Sequence, residues 1–266
     1  MSIFPPSVVL KFGGSVLHSP ADFPSVMSEI QGYLDQNTKV VAVVSAFYGV
    51  TETLIARAKS ENLSTDSVAY AELVASGEMR SAEELTNYLV QHDLPAAVAT
   101  PRQLSFTAQG PRISATPQGI QPQALNQALT TASVLVVPGF SAIDNHGDCV
   151  LLGRGGSDIS AVCLAETLGL HAVCLLKDVD GLYDMDPNRF SEAQRLTRVD
   201  YATAKLLGGE LIQPEAIDFA QSKNICIEIA AIGKAGRSLI GEARSAQVSQ
   251  PIKTPVPNVV ADELTA

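Results

Sequence analysis

The sequence has no tryptophan, and aromatic residues make up only 5% of its 266 positions. So little stacking surface argues against a platform for single-stranded nucleic acids or glycans. Cysteine is also sparse. Cys149, Cys163, Cys174 and Cys226 stand far apart with no CxxC pair, so reduced thiols in or near the core are expected rather than a zinc ribbon or disulfide scaffold. Positive charge is short: 18 Lys and Arg face 28 Asp and Glu, for a net charge of −10. That balance speaks against nonspecific nucleic-acid binding, although a local positive pocket can still hold a nucleotide. No apolar run reaches membrane-spanning length, and the N-terminus lacks the basic start and apolar core of a signal peptide. The expected location is the cytoplasm, with no membrane partner. The four histidines, His18, His92, His146 and His171, are scattered and form no metal-ligand set.

What the chain does contain fits a compact α/β protein: 46% hydrophobic and 17% charged residues. Apolar runs at Val8–Phe12, Val40–Val44, Val134–Val137, Ala172–Leu176 and Ile225–Ile229 read as strands buried on both faces. Helical spacing appears between them, near 23–34, 50–59, 121–129, 157–168, 201–207 and 214–222. Residues 66–92 also look helical, as one helix or as two broken near Gly77. Residues 103–118 read as hairpins or a loop, and Asp144–Asp148 as a turn between short strands. Alternating strands and helices imply a three-layer αβα sandwich around a mostly parallel central sheet.

Two glycine-rich loops lie against these elements. Gly13-Gly14-Ser15 follows the first strand, and Gly153-Arg154-Gly155-Gly156-Ser157-Asp158 precedes a helix. Glycines let backbone N–H groups converge on an anion, and a helix N-terminus adds its dipole. Neither loop matches G-x-x-x-x-G-K-[ST] or G-x-G-x-x-G, so a Walker-type NTPase or a Rossmann dehydrogenase is not indicated. Lys11 sharpens the reading. A lysine between apolar residues at the end of a buried strand needs an anionic partner, and a transferring phosphoryl group is one. Asp158 can hold that lysine, contact a metal, or cap its helix.

These residues carry a resemblance. Lys11-Phe12-Gly13-Gly14-Ser15 resembles the opening of the amino acid kinase family, and within it of the aspartate kinases. Val44-Ser45-Ala46 with Gly49-Val50-Thr51, Ala75-Ser76-Gly77-Glu78, and Pro138-Gly139-Phe140 followed by Leu152–Asp158 resemble its next blocks in order. So do Asp178–Tyr183 with Asp186-Pro187, and Leu211–Ala216. The similarity runs over about residues 7–242.

It implies the amino acid kinase fold and transfer of phosphate from ATP, with Mg2+, to the side-chain carboxylate of aspartate, a step of amino-acid biosynthesis. Lys11 and Asp158 would then be catalytic. Lys11, Gly13, Gly14, Ser15, Gly155, Gly156, Ser157, Lys177, Asp178, Tyr183, Asp186 and Asn188 would bind ATP. Ser45, Thr51, Glu78 and Arg154 would hold the amino acid, with Arg154 suited to a carboxylate and Glu78 to an ammonium. No residue is assigned as a metal ligand, and a homodimer is the candidate assembly. Without the resemblance, Glu78 reads as a solvated helix-end charge, Arg154 as a loop charge and Tyr183 as core or rim.

The chain departs from the pattern in length, at Lys177 and Glu210, at the Asn188-Arg189 pair where a single Arg is usual after Asp-Pro, and at Gln213 where a His is usual. Residues 1–244 are expected to form the catalytic domain, and 245–266 a tail that does not make the regulatory ACT pair, so feedback inhibition of the usual kind is not expected. Lys177-Asp178 stands where Thr-Asp is usual. Glu210 stands where a lysine is usual, and Lys177 is expected to replace that lost charge. Two alternatives stay open: a kinase of this fold acting on another small amino acid or acid, and a weakly active nucleotide-binding regulatory subunit.

Overall fold

The apolar runs become the inner strands of one large sheet. The structure, a computed structural model, describes residues 4–242 except Asn188 and Glu210. In chain order come β1 (Ser7–Phe12), α1 (Phe23–Leu34), β2 (Lys39–Val44), α2 (Val50–Ser60) and α3 (Val68–Gln91). Then follow β3 (Ala96–Val98), β4 (Thr107–Gln109), β5 (Thr116–Gly119), α4 (Pro122–Thr131), β6 (Val134–Pro138), β7 (Ser141–Ile143) and β8 (Cys149–Leu151). The remaining elements are α5 (Gly156–Thr167), β9 (Ala172–Lys177), β10 (Leu182–Tyr183), β11 (Arg195–Leu196), β12 (Arg198–Val199), α6 (Tyr201–Leu207), α7 (Pro214–Lys223), β13 (Cys226–Ala231) and β14 (Arg237–Ile240).

The main sheet has the order β12-β14-β13-β9-β1-β2-β6-β3. From β13 to β3 the neighbours are parallel, and β14 runs antiparallel to β13. Strand alternation sorts the side chains between two cores. Val8, Leu10 and Phe12, with Val40, Ala42 and Val44, pack on Phe23, Val26 and Ile30 of α1 and on Leu85 and Leu89 of α3. Val9, Val41 and Val43 face the other way, toward α4, α5 and α7. The three-layer expectation therefore holds, with a parallel centre buried on both faces. A second sheet, β5-β4-β7-β8, contributes Ala108, Ala142 and Val150 to the core on the α5 side.

Of the two helical readings of residues 66–92, the structure shows the unbroken one. Residues 68–91 form a single helix that runs through Gly77 without a break. The glycine is there for packing: a Cβ at Gly77 would lie 2.9 Å from the Ala46 Cβ and 3.1 Å from the Leu54 Cδ1. The tail expected from residue 245 onward lies outside the described residues. All four cysteines are free thiols, three of them buried and Cys149 partly so. Among the described residues, no helix is long and apolar enough to cross a membrane.

Candidate active site

Residue parity builds the floor of the site. Lys11 shares the α5-facing side of β1 with Val9, and Lys177 shares the same side of β9 with Val173 and Leu175. The two strands are adjacent and parallel, and both lysines stand at or near the C-terminal ends. In open α/β sheets that end is where ligands bind, at the point where strand order reverses. Here β2 continues to one side of β1 while β9 lies on the other.

Asp158, in the first turn of α5, sits between the lysines. Lys11 Nζ lies 2.6 Å from its Oδ1 and Lys177 Nζ 3.5 Å from its Oδ2. Lys11, Asp158 and Lys177 are only 6%, 5% and 8% exposed. The helix N-cap is Gly155, in left-handed geometry, and no side chain caps it. The capping reading of Asp158 therefore gives way to ion pairing. Burial pushes the Asp158 carboxyl up, but the two ammonium groups outweigh that and hold it below its ordinary range. Burial and the Lys11 charge lower the Lys177 ammonium, partly offset by Asp158. Two cations on one carboxylate leave a buried positive excess suited to an anion.

Above this floor opens a cleft of about 890 Å³. The start of α5 forms one wall, and a tight approach fixes its position. A Cβ at Gly139 would lie 2.8 Å from the Ser157 Cβ, so only glycine lets the end of β6 touch the helix there. Phe140 follows in left-handed backbone geometry, φ 70°, an outlier for an aromatic residue. Its N–H donates to Ser160 Oγ at 3.1 Å, and its carbonyl accepts from the Leu152 N–H at 2.8 Å. These bonds hold the strain and tie β6 to the Gly153–Ser157 loop.

The opposite wall comes from α3 and the loop after β2. Ser81 Oγ donates to the Ser45 carbonyl at 2.6 Å, and the Gly77 gap seats Ala46 against the helix. Glu78 thereby lines the cleft at 3% exposure, and its Oε2 has no hydrogen-bond partner among the described residues. Burial pushes its carboxyl up to about 7, against the lowering effects of the Ala46 backbone and Lys11. An orphaned buried carboxylate oxygen facing a cavity is costly unless a donor arrives. Ser45, Thr51 and exposed Arg154 line the same cleft.

The fold thus gathers most of the sequence candidates: Lys11, Gly14, Ser15, Ser45, Thr51, Glu78, Arg154, Gly155, Gly156, Ser157, Asp158 and Lys177. Gly13 lies just behind them; a Cβ there would stand 3.0 Å from Lys11 Nζ. Asp178, Tyr183 and Asp186 are not on the cleft wall. Asp178 and Asp186 are exposed, and the Tyr183 hydroxyl donates to Asp180 Oδ1 at 2.7 Å. Asp180 also pairs with Arg195, at 3.0 Å, across the β10–β11 hairpin. Asn188 and Glu210 lie outside the described residues. Tyr48, Phe140 and Gln213, to which the sequence assigned no site role, also line the cleft. Phe140 and Gln213 stand inside motif blocks, whereas no local pattern marks Tyr48. Among the described residues, no group of three His, Cys, Asp or Glu side chains is arranged to hold a metal.

Comparison with known proteins agrees with this architecture. The amino acid kinase family model matches residues 6–231. An aspartate kinase of Pseudomonas putida is 31% identical over 252 residues, covering 92% of this chain and 61% of that protein. E. coli aspartokinase III, solved in complex with aspartate and ADP, superposes with a TM-score of 0.72 at 23% identity, over 88% of this chain and 64% of that one. UMP kinase from Ureaplasma parvum shares the fold at a TM-score of 0.62 and 15% identity, over 90% of this chain and 99% of that one. The chain thus spans less than two thirds of the aspartate kinases it matches, yet nearly the full UMP kinase. With the family match spanning the parallel strands from β13 to β3, both glycine loops and the Lys11–Asp158–Lys177 floor, the chain belongs to the amino acid kinase family.

Proposed function

We propose that the chain transfers the γ-phosphoryl group of ATP to the side-chain carboxylate of L-aspartate, giving 4-phosphoaspartate and ADP. The carrying observation is the pairing, in one cleft, of a buried two-lysine floor with an orphaned Glu78 oxygen and Arg154. The first suits a phosphoryl group in transfer; the second suits the ammonium and α-carboxylate of an amino acid.

The acceptor carboxylate is already an anion at neutral pH and needs no general base. Its oxygen forms the bond to the γ-phosphorus as the bond to the ADP oxygen breaks. Catalysis is then positioning and charge stabilisation. Lys11 and Lys177 meet the charge on the transferring group, and Asp158 keeps both ammonium groups converged. The N-terminal turn of α5, with Gly155, Gly156 and Ser157, and the Gly13–Ser15 loop face the phosphates. Ser45 and Thr51 flank the acceptor.

Asp158 is already engaged by two lysines, so the residues fit a magnesium ion carried mainly by the nucleotide phosphates. Such an ion would supply further neutralisation of phosphate charge. The Asp178–Asp186 segment is assigned to the outer part of the nucleotide.

The test is trapping of the acyl phosphate with hydroxylamine, using ATP, magnesium and a panel of amino acids. Aspartyl hydroxamate is expected. Hydroxamate from a different amino acid alone moves the assignment to that acceptor. ATP binding with no hydroxamate from any of them overturns the kinase reading in favour of a regulatory nucleotide-binding role.

A further inference from the structure

The aromatic side chain at position 48 sits where the proposed chemistry most needs cover. Tyr48 lines the cleft yet is 73% exposed. Single exposed aromatics are ordinary on protein surfaces, but this one stands on an unusually well-fixed backbone. Its N–H donates to the Leu17 carbonyl at 3.1 Å, which ties the loop after β2 to the loop after β1. A Cβ on Gly14 would stand 3.8 Å from the Tyr48 Cα, so the tyrosine is rooted directly beside the first glycine loop. The residue after it, Gly49, adopts φ 76° as the N-cap of α2, and Thr53 Oγ1 donates to its carbonyl at 2.9 Å.

The side chain, by contrast, has one aromatic neighbour among the described residues. The ring of His18 lies 5.7 Å away, tilted by 39°. His18 is itself anchored: its N–H donates to Asp22 Oδ2 at 2.7 Å, and its ring Nδ1 lies 3.7 Å from the same oxygen. The tyrosine ring therefore rests beside His18, on a backbone held next to the first glycine loop and at the wall of the cleft.

From this geometry we infer that Tyr48 is a specificity and shielding residue. Its ring folds from His18 onto the bound acceptor and keeps water from the phosphoryl group in transfer. The inference rests on the phosphotransferase reading above. Shielding matters because water is the competing acceptor: its oxygen bonds to the γ-phosphorus, the bond to ADP breaks, and a proton is lost to solvent, giving phosphate and ADP. An open cleft over the Lys11–Asp158–Lys177 floor would otherwise permit that reaction.

The test compares wild type with Tyr48→Ala and Tyr48→Phe, measuring ADP release and hydroxamate trapping in parallel with aspartate as acceptor. In Tyr48→Ala the ratio of ADP to trapped acyl phosphate is expected to rise at least about threefold, and the acceptor KM about tenfold. The KM for ATP should stay within about twofold, and Tyr48→Phe should behave as wild type, because the ring and not the hydroxyl does the covering. A second measurement does not depend on turnover. Nitration of Tyr48 by tetranitromethane, read by peptide mass spectrometry, should be suppressed by aspartate together with a non-hydrolysable ATP analogue. Unchanged nitration, or an unchanged ratio and KM in Tyr48→Ala, overturns the inference. If wild type forms hydroxamate while either of those results is found, Tyr48 alone is at fault and the proposed function stands.

Discussion

Lys11 Nζ stands 2.6 Å from Asp158 Oδ1, while Lys177 Nζ approaches the other oxygen of the same carboxylate at 3.5 Å. One buried anion thus restrains two buried cations. Replacing Asp158 with Asn would leave both ammonium groups facing each other without compensation. Breaking such a pair costs roughly 3–5 kcal/mol of stability. Turnover should fall on the order of 10²–10³-fold, because the donors no longer converge. Urea unfolding and initial rates check both; a variant as stable and as active as wild type rules out the restraint.

Lys177→Met makes the complementary prediction. It removes one of two cations and leaves Lys11 paired one-to-one with Asp158, so stability should hold or rise. Turnover should drop by about 10²-fold if Lys177 meets the transferring phosphoryl group, with little change in acceptor KM. Near-normal turnover would reject Lys177 as a replacement for the charge missing at residue 210.

Much of this was legible in the chain itself, for physical reasons. Parallel strands buried on both faces leave uninterrupted apolar runs, so β1, β2, β6, β9 and β13 were readable within a residue or two. Lys11 could be flagged for the same reason, whereas Lys177 stood out only against the family pattern. Gly77 was harder. A glycine within a helical stretch reads as a break, yet here it admits Ala46, a contact set by tertiary packing alone. The short strands β10, β11, β12 and β14 had too little length to show a pattern. Strained Phe140 and exposed Tyr48 acquire meaning only from what surrounds them.

Glu78 gives a pH-dependent prediction. Burial raises its carboxyl from 4.5 to about 7, so the folded state holds this proton more tightly than the unfolded chain. Its ionisation therefore costs stability as pH rises from about 4.5 through 7. Glu78→Gln lacks that cost. The ligand-free variant should gain on wild type across this window, by up to about 3 kcal/mol at pH 8. Acceptor binding runs the opposite way: an ammonium needs the ionised form, so wild-type acceptor KM should fall as pH rises through 7. The variant should show a high and flatter KM. Parallel stability-against-pH curves, or a wild-type KM that rises through pH 7, would contradict this assignment.

Gly139 should be the glycine least tolerant of a methyl group at the site. An alanine there drives its Cβ to within 2.8 Å of the Ser157 Cβ and 2.9 Å of its Cα, so α5 itself must shift rather than a flexible side-chain tip. Overpacking of this kind costs about 1–3 kcal/mol. The displaced turn carries Gly156, Ser157 and Asp158, so ATP turnover should fall along with stability. Gly169 is the matched control. It has φ 69° with nothing within 4 Å of the place a methyl group would take, so alanine there meets only backbone strain of about 1 kcal/mol. Thermal unfolding and kinetics of the two variants side by side separate these effects. Gly139→Ala should lose both stability and activity, whereas Gly169→Ala should lose some stability and keep its kinetics. If Gly139→Ala retained full ATP turnover at a lowered melting temperature, the close approach would serve the core and not the placement of the α5 N-terminus.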